Sequence, residues 1–331
     1  MKSAISLMIT SLLAILLLAL PPAIADETTP ANLYLVKAGD TLPSIAKQYD
    51  ISTSDLTLMN GLQSSALLEG QKLWVPIIHT VSEGETIANI AVAYHSTANL
   101  IKKHNNLSSD SLATGQQIKI IPKQFSMQGQ HILMSREEFK DWLLNGQFTR
   151  EIHLIQQHHT WQPSYKHFHG TNHFPLLESM QNHHINKMGW GNIAQNITTF
   201  PDGKIAVSRP FDSAPEGSIG PKANKHGIAI ENVGNFDVGH DKMTKEQRET
   251  IIYVTALLSL KFGLTPSIDS ITYHHWWHYK TKERVLDHAE DYEVKSCPGT
   301  GFFGGNATES ARKYFYPFIK AKMEEIQNNM N

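Results

Sequence analysis

The chain has a single cysteine in 331 residues, and one thiol cannot close an intrachain disulfide, so Cys297 needs another role. Charge of one sign is also missing. The 29 Lys and Arg nearly balance 31 Asp and Glu, which removes any whole-molecule electrostatic case for nucleic acid. It equally removes the strong positive charge that would drive non-specific adhesion to an anionic envelope. After the apolar stretch Ile5 to Leu20 no second run is long enough to span a bilayer. No cysteine follows Ala23-Ile24-Ala25, which argues against a lipid anchor there.

What is present begins with that N-terminus. Lys2, the apolar run and the small-residue triplet Ala23-Ile24-Ala25 read as a secretory signal over residues 1–25. The competing reading is an uncleaved anchor, for which the run is short. The expectation is an exported chain (periplasmic, cell-wall-associated or secreted) with no stable membrane anchor once the signal is removed. The remaining length suits two or three domains. A monomer is the default, the sequence leaving oligomeric state open.

Repetition is strong in the first third. Gly39-Asp40-Thr41-Leu42 recurs forty-five residues later as Gly84-Glu85-Thr86-Ile87. The same offset carries Ile45-Ala46 to Ile90-Ala91, Tyr49 to Tyr94, Asn60 to Asn105, Leu62 to Leu107 and Gly70-Gln71 to Gly115-Gln116. Each copy reads as an opening strand (Leu33 to Val36, His79 to Val81), two short helices and a closing strand (Lys72 to Val75, Gln117 to Ile121). Asp40 or Thr41, and Glu85 or Thr86, can start the first helix by accepting free amide hydrogens. The result is a βααβ unit with its own small core, at 33–76 and again at 78–122.

These units resemble the LysM module, which binds glycans containing N-acetylglucosamine, such as peptidoglycan and chitin. The resemblance implies a sugar groove lined by Gly39 to Leu42 with Asn60 to Leu62, and by Gly84 to Ile87 with Asn105 to Leu107. Gly39, Asp40, Thr41, Asn60, Gly84, Glu85, Thr86 and Asn105 are its candidate sugar-facing residues. The competing role for each is to hold a turn or cap.

Residues 123–133 read as a polar linker, and a different domain follows over 134–331. Ser135-Arg136-Glu137-Glu138 has the pattern of a capping box, as does Thr244-Lys245-Glu246-Gln247 ahead of a long helix ending at Gly263. Between them lie strand-like runs at Glu151 to Gln156, Ile193 to Phe200, Lys204 to Ser208 and Gly227 to Glu231. Strands, then helix, then a loop-rich end imply a mixed α/β sheet flanked by helices. Fourteen of the eighteen histidines fall between 153 and 288, in this same region. Two histidines and a thiolate suffice to hold a catalytic zinc with an open position.

Four motifs occur in order: Ile155-Gln156-Gln157-His158-His159-Thr160; Pro201-Asp202-Gly203-Lys204 with Arg209; Gly227-Ile228-Ala229-Ile230-Glu231; and His274 with Lys295-Ser296-Cys297-Pro298-Gly299. Together they resemble the type-2 zinc N-acetylmuramoyl-L-alanine amidases, which share a fold with peptidoglycan recognition proteins. The likeness extends to Met180-Gln181-Asn182-His183-His184 before Gly189-Trp190. It implies His158, His274 and Cys297 as zinc ligands, with His275 or His278 competing for the second place. It implies Glu231 as the group that takes a proton from water and Lys295 as the cation facing the oxyanion. It sets His184 beside the substrate groove. From the residues alone, Glu231 could instead be paired inside the core, and Lys295 could be a solvated loop lysine.

Two departures stand out. Gln195 occupies the place where some members carry an assisting tyrosine, and the segment Thr281 to Val294 is longer than in compact members, reading as a surface loop or a lip. Of Trp276 and Trp277, one is expected in the core. The implied activity is peptidoglycan hydrolysis at the amide between the N-acetylmuramic acid lactyl group and L-alanine, with LysM as tether. The rival readings are a non-catalytic peptidoglycan-binding protein, a zinc endopeptidase cutting within the stem peptide and a secreted chitin binder. The His-Glu-x-x-His helix of many such endopeptidases is absent.

Overall fold

The computed structural model describes residues 31–290 and 293–330. The signal reading at 1–25 lies outside the described residues, and no described helix is long and apolar enough to cross a membrane.

Both repeats fold as small βααβ units. In the first, β1 (Leu33–Leu35) pairs antiparallel with β2 (Lys72–Trp74) around α1 (Leu42–Gln48) and α2 (Thr53–Asn60). In the second, β3 (Ile77–Thr80) pairs antiparallel with β4 (Gln117–Ile120) around α3 (Ile87–Ala93) and α4 (Ala98–Asn105). The opening strand of the second unit starts at Ile77, earlier than its sequence suggests. Thr41 and Thr86 are the N-caps of α1 and α3, their hydroxyls accepting from the amides of Ser44 and Asn89. Leu42, Ile45, Ala46, Leu56 and Leu73 form one core, and Ile87, Ile90, Ala91, Ile101 and Ile118 the equivalent second core.

The segment 123–133, read as a polar linker, instead carries structure. β5 (Ser126–Gln128) and β6 (His131–Met134) form a hairpin that joins the main sheet through β9 (Ile205–Val207). Ile132 and Met134 are buried in the main core, and Gln130 donates from Nε2 to Asn192 Oδ1 and to Ser208 O. Polar side chains made this segment look solvated, but its other two glutamines also find distant acceptors, Gln124 at Asp55 Oδ1 and Gln128 at Glu178 Oε1.

The main sheet has the order β11-β7-β10-β8-β9-β6-β5. Its parallel part is built from β7 (Leu154–His159), β8 (Ile197–Thr199), β10 (Gly227–Asn232) and β11 (Ile271–Tyr273); β9, β6 and β5 run antiparallel to their neighbours. The mixed sheet flanked by helices is present, although strand limits moved. β7 runs to His159, later than expected, because its backbone pairs with β10 as far as Asn232.

α5 (Arg136–Asn145) starts with the reciprocal Ser135–Glu138 capping box, and α6 (His173–Asn186) and the short α7 (Pro221–Asn224) follow it in the chain. α8 (Lys245–Lys261) is different. Thr244 caps it by accepting from Gln247 N, but the Gln247 side chain does not reach back. It is fully buried, donating from Nε2 to Thr199 O (3.1 Å) and Val233 O (3.0 Å) and accepting from the Tyr165 hydroxyl (2.5 Å). α9 (Thr308–Tyr314) and α10 (Tyr316–Asn328) close the chain, α10 packing on α8 through Tyr316, Ile319 and Ile326.

The first repeat is seated on the main unit. Trp142 Nε1 of α5 donates to Gly61 O (3.2 Å), Gln147 Nε2 to Gly70 O (2.6 Å), and Gln63 Nε2 to Gln130 O (2.7 Å).

Replacing Gln247 by Leu removes a buried side chain that ties α8 to two strand-end carbonyls and strands those acceptors. The expected cost is about 2–3 kcal/mol of stability. A lower urea midpoint with unchanged slope in tryptophan-fluorescence unfolding checks it; an unchanged midpoint contradicts it.

Candidate metal centre

The register of β7 on β10 builds the site. Glu231 pairs with His158 and Ala229 with Gln156, while on the outer flank Thr272 pairs with Gln156 and on the inner flank Thr198 pairs with Glu231. Alternate residues share a face, so Gln156, His158, Glu231, Thr198 and Thr272 project together. Gln157 projects oppositely and donates to Thr255 of α8 (2.9 Å). The His158 face is therefore the one that α8 does not cover.

His274 arrives from the single 3-10 turn His274–Trp276 that follows β11, and its ring lies 5.0 Å from that of His158 between centroids. Because this is one short turn, His274 and His278 share no helical face. The His278 Nδ1 accepts from the amides of Lys280 and Thr281 instead. His275 is also occupied elsewhere: its Nδ1 donates to Lys295 O (2.7 Å), and its backbone amide donates to Cys297 O (2.7 Å). Of the pair, His274 faces the cluster and His275 holds the cysteine loop.

That loop is clamped by the chain after β10. Asp237 accepts from Ser296 Oγ and from Thr300 N (both 3.0 Å), and Gly301 N donates to Phe236 O (2.8 Å). Gly299 sits so close that an added Cβ would come within 2.5 Å of the Phe236 carbonyl group, and its φ is +118°. Only glycine fits there. The clamp brings Cys297 Sγ to 3.3 Å from the donating amide of His159 and 3.6 Å from His158 Nδ1. One ligand atom each from His158, His274 and Cys297 lies within 4.8 Å of the others.

Burial sets the protonation of the group. It pushes His158 down to about 3 and His159 down to about 4, and holds His274 well below the usual imidazole range. These rings are neutral and can offer lone pairs. Burial pushes the Glu231 carboxyl up to about 8, and its Oε2 is buried with no hydrogen-bond partner among the described residues. Burial and the Glu231 charge also raise the Cys297 thiol. Two neutral imidazoles and a sulfur, with an unpaired carboxyl nearby, fit zinc better than magnesium or calcium. A divalent cation among them would draw the thiol to its ionised form.

An amide relay supports His158. Its Nε2 faces Gln156 Oε1 at 3.5 Å; Gln156 Nε2 donates to Asn224 Oδ1 (3.1 Å), and Asn224 Nδ2 donates to Gly217 O (2.9 Å). An added Cβ on Gly227 would lie 2.1 Å from Gln156 Nε2, so the relay needs glycine at that point. Gln156 and Asn224 escaped sequence reasoning, because a polar residue in a strand or short helix signals nothing until its partner is known.

The other expected residues fall as follows. Lys295 is exposed, its Nζ 5.9 Å from the Tyr279 ring, and its charge lowers the pKa of both His274 and Cys297. Lys282, from the long loop, was not foreseen. It donates to Ser218 O (2.9 Å), and burial and Lys295 together lower its pKa. His184 is outside the cluster: Nδ1 accepts from Ala194 N (3.1 Å), the ring lies 4.9 Å from Trp190, and burial pushes it down to about 4. Gln195 is buried, donating to Thr198 Oγ1 (3.0 Å), with its Oε1 unpartnered. Trp276 is in the core, donating to Asn306 O, and Trp277 is half-buried.

In the repeats, most expected sugar-facing groups are engaged within their own units. Asp40 accepts from Tyr34 Oη and Lys37 N, and Glu85 from Ser82 N with His79 alongside. Asn60 and Asn105 each bridge a helix end to the closing strand, at Trp74 and Lys119. Gly39 and Gly84 adopt positive φ in their turns.

The fold is that of the type-2 amidases and peptidoglycan recognition proteins, a mixed α/β sheet preceded by two LysM-type units. Residues 148–300 match the family model described as N-acetylmuramoyl-L-alanine amidase, and residues 34–76 and 79–120 match that of the LysM domain. The matches are thus made segment by segment, two to the LysM model and one to the amidase model. Among solved structures it is similar to the N-acetylmuramoyl-L-alanine amidase LysC from Clostridium intestinale, with 20% identity over 53% of this chain and 87% of that one, TM-score 0.35. It is also similar to Drosophila PGRP-LB (18% identity, 52% and 85% covered, TM-score 0.38) and to Apis mellifera PGRP-SA (14%, 53% and 93%, TM-score 0.36). No curated protein matches.

Two outcomes test the site. Gly227→Ala should push Gln156 off His158 and weaken zinc binding about 10–100-fold, read by calorimetric titration of the metal-free chain. Equal affinity would remove the relay from the argument. The histidine values predict acid sensitivity of the metal-free protein. Below pH 6.5 the unfolded chain takes up protons that folded His158 and His159 refuse, so stability should fall from pH 6.5 toward about 3. Unfolding midpoints across that range, flattened in a His158→Gln, His159→Gln variant, check the sign.

Proposed function

We propose that this protein is a zinc-dependent N-acetylmuramoyl-L-alanine amidase acting on peptidoglycan, cleaving the amide between the lactyl group of N-acetylmuramic acid and L-alanine. One observation carries the reading: Glu231 is half-buried, its Oε2 is buried with no partner among the described residues, and it projects from the same sheet face as His158. A buried carboxyl oxygen left without a partner costs stability, and its retention beside three convergent donor groups points to chemistry.

His158, His274 and Cys297 would hold the metal. Zinc, when bound, supplies an acidified water and polarises the scissile carbonyl. Glu231, poised near neutral pH, takes a proton from the attacking water and passes it to the departing L-alanine amine. Lys295 at the mouth faces the oxyanion as it develops, with Lys282 adding positive charge from the loop. Gln195 stands where a tyrosine assists in some members; it is buried and its Nε2 donates to Thr198, so Glu231 and Lys295 carry the proton and charge work. The two LysM domains tether the chain to glycan strands and raise the effective concentration of the catalytic domain. Action on peptidoglycan fits export to the periplasm, the wall or the medium.

Purified peptidoglycan incubated with the mature protein should yield free L-alanine amino termini on intact glycan strands, suppressed by a zinc chelator. Glu231→Gln should lower kcat at least about 100-fold while still binding zinc. Retained binding without new termini would replace the proposal with a recognition protein, and termini inside the peptide with an endopeptidase.

A further inference from the structure

We infer that the chain has a second site for a borderline divalent transition cation of the zinc class, formed by Glu151, His153 and His226 at the other end of the same β7–β10 pair. One ligand atom from each of the three lies within 4.8 Å of the others. Glu151 and His153 are exposed and His226 is half-buried, so a cation has open access.

The backbone holds these groups together. His226 O accepts from the amides of both His153 (2.9 Å) and Leu154 (3.1 Å), joining the approach to β7 to the approach to β10. Arg150 donates from Nη1 to the carbonyls of Asn224, Lys225 and Gly227, fixing the turn that presents His226. The two imidazoles stack, with centroids 4.9 Å apart and planes inclined by 8°.

The tautomer of His226 is also set. Its Nδ1 faces the Glu151 carbonyl oxygen at 3.1 Å and must donate to it, which leaves the Nε2 lone pair free. A ligating histidine fixed through its other nitrogen is a recurrent feature of metal sites. The Glu151 carboxylate and the His153 ring make no hydrogen bond to another described residue, so neither has a competing partner.

Two imidazoles and one carboxylate select zinc, cobalt, nickel or copper over magnesium and calcium. With three protein ligands and water, the site is open and its affinity modest. His153 precedes His158 by five residues, which at about 3.3 Å per residue separates the two sites by roughly 16 Å along the strand. The second site thus lies at the opposite end of the β7–β10 pair and shares no ligand with the first.

Calorimetric titration of the metal-free full chain with Zn2+ tests this, with Co2+ spectra to tell the sites apart through the thiolate charge-transfer band of Cys297. The expected result is two equivalents, only one giving that band. Cys297→Ser should keep the weaker equivalent. His153→Ala combined with His226→Ala should lose it while retaining the band and peptidoglycan hydrolysis. Glu151→Gln, an exposed change that spares the fold, should weaken it about 10-fold or more. A single equivalent in the wild type, or an unchanged weaker equivalent in the Glu151 and double-histidine variants, overturns the proposal.

Discussion

The parallel pairing of β7 with β10 is the constraint on which the rest of this protein depends. Its register sets His158 opposite Glu231 at one end and joins His153 to His226 at the other. A slip of one residue would turn His158 and Glu231 to opposite faces, because side chains alternate along a strand. Gln156 and Gly227 guard this arrangement, one by its amide relay and the other by leaving room for it. α8 covers the opposite face, with Gln247 tying it to strand ends that would otherwise carry unpaired carbonyls.

Low dielectric surroundings then give the candidate centre its character. The same burial keeps the imidazoles neutral, keeps a proton on Glu231 near neutral pH and disfavours a free thiolate at Cys297. In the metal-free chain these groups sit together without charge. A dication introduced among them reverses the preferences of the carboxyl and the thiol while needing no change in the histidines. Nothing in the apolar core could play that part.

The two repeats, nearly superimposable in sequence pattern, are used differently. The first is fastened to the main unit by Trp142, Gln147 and Gln63, and its closing strand presents Trp74 to a stack with His95 of the second. Asn32 donates to Tyr94 O across the same junction. The recurring Asn60 and Asn105, which invited a sugar-binding role, each spend their amides on holding a helix end to a strand.

Much was legible in the chain itself. A fixed forty-five-residue offset implies two copies of one local fold, because each copy carries its own caps, turn glycines and apolar spacing. Ordered motifs around His158, Glu231, His274 and Cys297 announced a candidate site, since few other roles suit those residue types in that company. Local signals misled where a side chain could serve two masters. Gln247 looked like half of a capping box and Gln130 like a solvated linker residue, yet both turned to distant carbonyls that only the folded chain supplies. Sequence likewise left His274 and His275 open, as adjacent residues of one type are chemically identical until a backbone bends. The single 3-10 turn after β11 and the carbonyl of Lys295 made that choice, by giving one ring a lone-pair neighbour and the other a hydrogen-bond acceptor. Composition and order determined which chemistry the chain can perform; the long-range pairing of strands and loops decided which atoms are near enough to perform it.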